Sequence, residues 1–366
     1  MAEPVKVLEM IGALNYGGSQ AMIVNLCRAM NDDKVQCDFI VDHPEYMGMA
    51  PAVEEMGSKI FIMPTFKGTN ISQIKEVWEK FFNDHPEYRI LHSHSRSYAS
   101  IYLPIAKKHG VKTIIHSHNT SNGKGPVAMV KDIMQYPLRN IADYFIGCSK
   151  EAGEWLFGEK VVKGDRFYVL NNAIDTDKFI YDENIRNEYR NEFHLDDQRV
   201  FIQVGRLSKQ KNYMFTLDVF KKYLENDHTA RLFIVGNGEL KENIQNRIME
   251  LKIFDNVIML EGRNDVNNLL QMADVFLMPS LFEGLSVACV EAQASGIRCL
   301  LSTRCDKNVN ITGLCEFIPL DEDLWVKKMG EDLSLRMYTK DDIIKAGFDV
   351  KTTARWLEDF YQSIVK

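Results

Sequence analysis

The chain has 366 residues, 45% hydrophobic and 26% charged, with a formal net charge of −7; that composition is globular, and the length suits two domains of ordinary size. No uncharged apolar run approaches the ~18 residues that cross a bilayer, and the start, "MAEPVKVLEMIGAL", lacks the cationic-then-apolar layout of a secretory leader. Seven cysteines form an odd set without C-x-x-C spacing, so free thiols in a reducing compartment, and with them a cytoplasmic protein, are expected.

In chain order, the apolar runs "VKVLEMIGAL", "CDFIVD", "KIFIMP", "RILHSH", "TIIHSH", "YFIGCS" and "RFYVLNN" read as strands. Helix-length segments such as "SQAMIVNLCRAMN" and "NISQIKEVWEKFFND" separate most of them. The stretch at 176–198, "TDKFIYDENIRNEYRNEFHLDDQ", is charged and carries no strand pattern. A second series then begins with "RVFIQVGRLS", "ARLFIVGNG", "NVIMLEG", "DVFLMPS" and "IRCLLS". Strands alternating with helices predict right-handed crossovers and parallel sheets covered on both faces. The expected fold class is therefore α/β, with two Rossmann-like, doubly wound domains facing a central cleft. Their expected bounds are 1–178 and 179–350, with an amphipathic helix at 351–366 that packs back toward the first domain. Ligands of such sheets bind beyond the carboxyl ends of the strands, so the residues just after each strand carry the chemistry.

After the first strand, "GALNYGGSQ" places Gly12, Gly17 and Gly18 before a helix. Glycines at such a turn let backbone N–H groups approach a phosphate, or simply allow a tight turn. The dinucleotide fingerprint G-x-G-x-x-G is missed, although Asp42 at the end of the second strand keeps a dehydrogenase reading open. Residues 88–142 hold Arg89, Arg96, Lys107, Lys108, Lys112, Lys124, Lys131 and Arg139 against one acid, Asp132. That points to an anionic partner, a phosphate or a membrane surface, or to a solvated basic face. "HSHS" and "HSHN" put His92, His94, His116 and His118 at two successive strand ends, where residues two apart point the same way. They are candidates for a metal cluster, for core histidines, or for the cleft, and no carboxylate or cysteine lies beside them in sequence.

In the second series, "VGRLSKQKN" sets Arg206 and Lys211 five apart just beyond a strand, a pairing suited to a diphosphate. "VGNGEL" adds Gly236 and Gly238, which permit close backbone approach. "LFEGLSVACVEAQASG" carries only two charges, Glu283 and Glu291. Carboxylates isolated in apolar sequence need a partner, from the protein or from a ligand. Glu283 falls in the loop after "VFLMPS" and Glu291 inside the following helix, with the N–H groups of Leu285 and Ser286 at its positive end between them. Carboxylate, anion site and carboxylate together suit a nucleotide-sugar.

The loops "GRLSKQKN", "VGNGEL" and "EGLSVACVEAQASG", with "NYGGSQ", "NNAIDTDKF" and the C-terminal helix, resemble the retaining GT-B glycosyltransferases of family 4, along the whole chain. Members acting in exopolysaccharide or capsule assembly look most similar. The resemblance implies that Glu283 holds the donor sugar's hydroxyls and Glu291 the ribose. It implies that Arg206 and Lys211 neutralise the diphosphate with the N–H groups at Leu285 and Ser286, and that His118 sits beside the reacting sugar. Gly17, Gly18, Gly205, Gly236, Asn237, Arg263 and Gly284 complete the implied donor site. The catalytic set is then His118, Glu283, Arg206 and Lys211, with no metal and no cofactor beyond a nucleotide diphosphate sugar, expected to be a UDP-hexose. The implied acceptor is a glycan or lipid-linked precursor, met through peripheral contact with anionic membrane at its inner face; no nucleic acid is implied. After Glu291 the family often shows a proline and an acidic motif, whereas this chain reads "GIRCLLSTRCDKNVNITG", which leaves the far edge of the nucleotide pocket unassigned. A sugar-nucleotide epimerase, a glucan-synthase-like enzyme and a nucleotide-binding protein without turnover are the other readings.

Overall fold

The computed structural model describes residues 3–15, 18–119, 123, 125–331 and 336–365. It divides into two compact units, Met1–Ala173 with Val350–Lys366, and Ile174–Asp349. The first boundary lies a few residues before the expected 178. Ile174 belongs with the second unit because its N–H donates to Phe348 O and it bridges Asp349 in parallel.

The first unit holds seven strands: β1 (Val5–Gly12), β2 (Val35–Val41), β3 (Ile60–Ile62), β4 (Ile90–Ser93), β5 (Lys112–Ser117), β6 (Tyr144–Gly147) and β7 (Phe167–Val169). Their order is β3-β2-β1-β4-β5-β6-β7, with every pairing parallel. The order reverses between β1 and β4, the switch point of a doubly wound sheet. Alternation sends Val7 and Ile11 to one face, and Leu8 and Met10 to the other. Glu9 shares the Val7 face, and it stands directly across from His92 in the β1–β4 register.

That face is covered by the helices Gly18–Ala29 and Val350–Ile364. The C-terminal helix buries Val350, Ala354, Leu357, Phe360, Tyr361 and Ile364, the three- and four-residue spacing of one apolar stripe. Glu358, also buried, accepts the Asn31 N–H at 2.5 Å and meets Lys34 at 3.3 Å. These contacts join the end of the chain to its beginning.

The second unit holds six strands: β8 (Val200–Val204), β9 (Arg231–Val235), β10 (Val257–Leu260), β11 (Val275–Met278), β12 (Arg298–Ser302) and β13 (Cys315–Ile318). They run in the order β10-β9-β8-β11-β12-β13, again parallel. β13 was not expected from sequence. Its "CEFI" is short and carries a charge, and its pairing with β12 rather than its composition makes it a strand. The helix that carries Glu291 spans Val287–Ala294, with Ser286 as its N-cap.

Leu357 is 2% exposed within the stripe that closes the first unit. Leu357→Ala should cost about 2–4 kcal/mol of that unit's stability. Denaturant titration followed by tryptophan fluorescence should show a lower midpoint, and a midpoint equal to the parent's would mean the helix is not part of that core.

Candidate active site

In the second unit the loops after β8, β9 and β11 lock together. The φ of Gly205 is 149° and that of Gly236 is 152°; a Cβ at Gly236 would sit 1.9 Å from Gly205 O. Only glycine fits that contact. The Leu281 N–H donates to Gln210 O at 2.8 Å, and Asn212 Nδ2 donates to Pro279 O at 3.1 Å. Gln203, fixed by Thr216 at 2.6 Å, donates to Lys211 O at 2.8 Å.

This framework delivers Lys211 to Glu283. Nζ and Oε2 lie 2.5 Å apart, both side chains 14% exposed. Ser280 Oγ stands 3.4 Å from the same carboxylate oxygen, and Glu283 O accepts the Asp306 N–H at 2.9 Å. The cation and the acid thus satisfy each other in a largely dry place, where removing one strands the other. Arg206 is different: it is exposed and pairs with Glu239 of the β9 loop at 3.1 Å. Asn237 O accepts the Leu207 N–H at 2.9 Å.

Beyond Glu283 the chain passes through Gly284 and Leu285 to Ser286. The Ser286 side chain makes no capping bond, and Ser286 O accepts the N–H groups of Cys289 and Val290. The preceding N–H groups, of Leu285 to Ala288, have no backbone partner among the described residues. They form a positive helix end. Glu291 follows one turn later. Glu291 is part-buried, its carboxylate makes no hydrogen bond or ion pair among the described residues, and partial desolvation raises its pKa to about 7.

In the first unit the four histidines do come together. His94 Nδ1 is 2.8 Å from His118 Nε2, and His92 and His94 ring centres are 4.3 Å apart. His116 stacks on His118 at 4.0 Å. The carboxylate that sequence proximity did not supply comes from β1: Glu9 Oε2 lies 2.8 Å from His94 Nε2. Burial holds His92 and His94 at about 3, and pushes His116 and His118 well below the ordinary imidazole value. His92, His94 and His116 offer nitrogens within 4.8 Å of one another, as a metal would require. Both His94 nitrogens, however, are already taken by Glu9 and His118.

Two family signatures match the chain. "Glycosyltransferase Family 4" covers residues 16–178, and "Glycosyl transferases group 1" covers residues 185–311. The protein EpsF of Bacillus subtilis (strain 168) is 26% identical over 97% of this chain and 96% of its own length. The UDP-Gal:alpha-D-GlcNAc-diphosphoundecaprenol alpha-1,3-galactosyltransferase of Escherichia coli is 29% identical over 67% of this chain and 66% of its own. Among solved structures, Anabaena Alr3699/HepE in complex with UDP superposes with a TM-score of 0.79 at 13% identity, covering 98% of this chain and 100% of that one. The chain is a glycosyltransferase of the GT-B fold.

In this glycosyltransferase the sequence-selected residues of the second unit divide in two. Gly205, Gly236, Lys211, Glu283, Gly284, Leu285 and Ser286 lie in interlocked or contiguous loops after β8, β9 and β11, and Glu291 lies one turn into the adjoining helix. Arg263 is held by Asp265 at 2.7 Å, which also accepts the Tyr189 hydroxyl at 2.7 Å. In the first unit Gly17 falls outside the described residues, and Gly18 begins a helix with open space around its Cβ position. Asp42, the residue behind the dehydrogenase reading, is buried and accepts the Tyr98 hydroxyl at 2.7 Å. Sequence reasoning missed Glu9, Asn172 and Tyr361. Glu9 carried a readable signal, a lone acid inside the apolar run "VLEMI".

Glu291 yields a pH test. Its pKa is raised on folding, so the stability tied to its neutral form is complete below about 4.5 and is lost as pH rises through about 7. Glu291→Gln should therefore leave the melting temperature near pH 4.5 unchanged and raise stability at pH 8 by roughly 1–2 kcal/mol. Equal melting of both proteins at pH 8 would show that Glu291 is not a strained carboxylate.

Proposed function

We propose that the protein is a retaining, metal-independent hexosyltransferase that uses a UDP-sugar and acts on a polysaccharide or lipid-linked precursor in cell-surface glycan synthesis. The observation that carries this reading is the sequence of groups along one loop and helix: the Lys211–Glu283 pair, then the N–H groups after Gly284 and the Glu291 carboxylate, which have no partner among the described residues. A diphosphate suits the N–H groups and Lys211. Ribose hydroxyls suit a carboxylate that lacks donors. Sugar hydroxyls suit Glu283 once Lys211 turns to phosphate. The UDP and UDP-glucose complexes of HepE and the diphosphoundecaprenol substrate named for the Escherichia coli relative agree with these choices.

The transfer breaks the bond from the anomeric carbon to the diphosphate oxygen and forms one to the acceptor oxygen on the same face. The acceptor proton passes to the departing diphosphate. Lys211, Arg206 and the helix N–H groups stabilise charge as it builds there, and Glu283 orients the sugar.

The acceptor side of the reading rests on the helix Pro126–Gln135. Met129, Val130 and Ile133, with Tyr136 just beyond, are all more than half exposed. Lys131 lies among them. By contrast Lys107 and Lys108 pair with Asp143 and Glu79, and Arg96 packs over Trp155 at 5.0 Å. An apolar stripe that carries Lys131, with Arg139 stacked on Tyr136 at its end, suits peripheral binding to anionic lipid better than the basic window as a whole. It fits a cytoplasmic protein working at the membrane's inner face, and no helix among the described residues is long and apolar enough to cross a membrane.

The donor site is tested by calorimetry with UDP and initial rates. Glu291→Ala should lose UDP affinity and raise donor KM, because ribose contacts are equal in ground and transition states. Glu283→Gln should bind UDP and lose kcat. Lys211→Ala should lose about 2–4 kcal/mol in kcat/KM, with EDTA without effect on the parent. Loss of UDP binding in Glu283→Gln but not in Glu291→Ala would reverse the placement of the donor. The membrane reading is tested by sedimentation with acidic vesicles. Met129→Ser with Ile133→Ser should abolish binding that Lys107→Glu with Lys108→Glu leaves intact, and vesicles that never capture the parent protein would remove it.

A further inference from the structure

One buried polar chain in the first unit is not explained by donor binding. Tyr361 of the C-terminal helix donates to Glu9 Oε1 at 2.9 Å. Glu9 Oε2 meets His94 Nε2 at 2.8 Å, and His94 Nδ1 meets His118 Nε2 at 2.8 Å. His92 Nδ1 is 2.6 Å from the Tyr361 oxygen. At the far end Asn172 lies beside His118, and both Asn172 Oδ1 and His118 Nδ1 are buried without a formed hydrogen bond. The groups facing Glu9 are Tyr361, His92, His94, Cys27 and Cys37. No lysine or arginine pairs with Glu9 among the described residues, and Glu9 is 1% exposed.

Each neutral imidazole carries one N–H, so the two ends of this chain determine each other. With a carboxylate at Glu9, His94 Nε2–H donates to it, and His94 Nδ1 must accept Nε2–H of His118. His118 Nδ1 is then a bare acceptor opposite the Asn172 oxygen, and an anion without a cation is left in the core. Turning the Asn172 amide repairs the last link but not the anion. With the proton on Glu9 every link reverses. Glu9 Oε2–H donates to His94 Nε2, His94 Nδ1–H donates to His118 Nε2, and His118 Nδ1–H donates to Asn172 Oδ1. No charge remains along the chain, and Asn172 Oδ1 and His118 Nδ1 are both satisfied; His92 Nε2 and the two His116 nitrogens, also without partners, lie off it. Tyr361 donates to Glu9 Oε1 in either case. Arg96, whose charge acts on His116 and His118, opposes an imidazolium at that end.

We propose that Glu9 is a neutral carboxylic acid which, through His94, fixes His118 as the Nδ1–H tautomer, so that His118 serves as an oriented neutral ring and not as a general base. Glu9, His94 and Tyr361 are positioning residues. The part His118 plays in transfer rests on the glycosyltransferase reading above; the protonation pattern does not.

Two measurements on the folded protein test the protonation. Two-bond proton–nitrogen correlation with labelled histidine, assigned with a His118→Gln variant, should show His118 as neutral Nδ1–H, unchanged over roughly pH 6–8. An Nε2–H pattern, or titration in that range, overturns the proposal. The infrared difference between the parent and Glu9→Gln should contain a protonated-carboxyl carbonyl band, and its absence also overturns it. Kinetics test the positioning. Glu9→Leu should lower kcat by about 10- to 100-fold while donor KM stays near the parent's, and Glu9→Gln, whose amide supplies both a donor and an acceptor, should recover most of that loss. A kcat in Glu9→Leu equal to the parent's overturns the positioning role. If no UDP-sugar is turned over by the parent, the function reading fails while the spectroscopy still decides the tautomer.

Discussion

A carboxylate carried into a folded core must acquire a proton, a cation or enough donors to replace water, and this chain carries several into its parallel sheets and their loops. Each is resolved differently. Glu358 accepts the Asn31 N–H and meets Lys34, which fastens the last helix to the start of the chain. Glu283 has Lys211. Glu9 has a tyrosine and an imidazole, and no cation. Glu291, part-buried, has no partner among the described residues, and its raised pKa expresses that. Much of the architecture around these residues consists of what holds each of those resolutions in place.

The parallel order dictates where they occur. In both sheets the order reverses beside the first strand, between β1 and β4 and between β8 and β11. The loops following those strands are free of the crossovers that cover the faces. In the second unit that freedom is used up by glycine contacts: Gly236 sits on Gly205, and Gly238 sits so near Leu207 that a Cβ would lie 2.5 Å from its carbonyl oxygen. Such close packing leaves Lys211 little choice of direction, so its ion pair with Glu283 is preorganised by backbone rather than by side-chain entropy alone. In the first unit the same switch point places β1 beside β4, and register alone sets Glu9 across from His92.

Most of the strands were legible because buried parallel strands must be apolar throughout. β13 was not, since "CEFI" is too short and too polar to announce itself and forms only against β12. Lys211 and Glu283 were each legible, one from a basic loop and one from its isolation, but their mutual pairing is a tertiary fact between residues 72 positions apart. The basic window was overread for the same reason: Glu79 lies outside it in sequence yet neutralises Lys108, and Asp143 neutralises Lys107. Glu9 is the instructive omission. A lone acid in apolar sequence needs a partner, and the "VLEMI" of β1 carries one as the segment 281–296 does; the β1–β4 register is what sets it among the histidines.

The contrast between Glu9 and Glu291 separates scaffold from site. A closed network, in which every donor finds an acceptor and no charge remains, gains nothing from a ligand and loses stability when any member is removed. A part-buried carboxylate with no partner among the described residues is the opposite: it lowers the stability of the free protein above its pKa, and recovers that energy when hydroxyl donors arrive. Lys211 and Glu283 stand between these extremes, because an ion pair can exchange one partner for a phosphate and the other for a sugar hydroxyl without leaving either charge bare. The second unit therefore holds its binding energy as unsatisfied or exchangeable groups along the segment 283–291, while the first unit holds a buried chain from Tyr361 through Glu9 and His94 to His118. On physical grounds the protonation of the former should change with ligand and pH, and that of the latter should stay fixed over roughly pH 6–8.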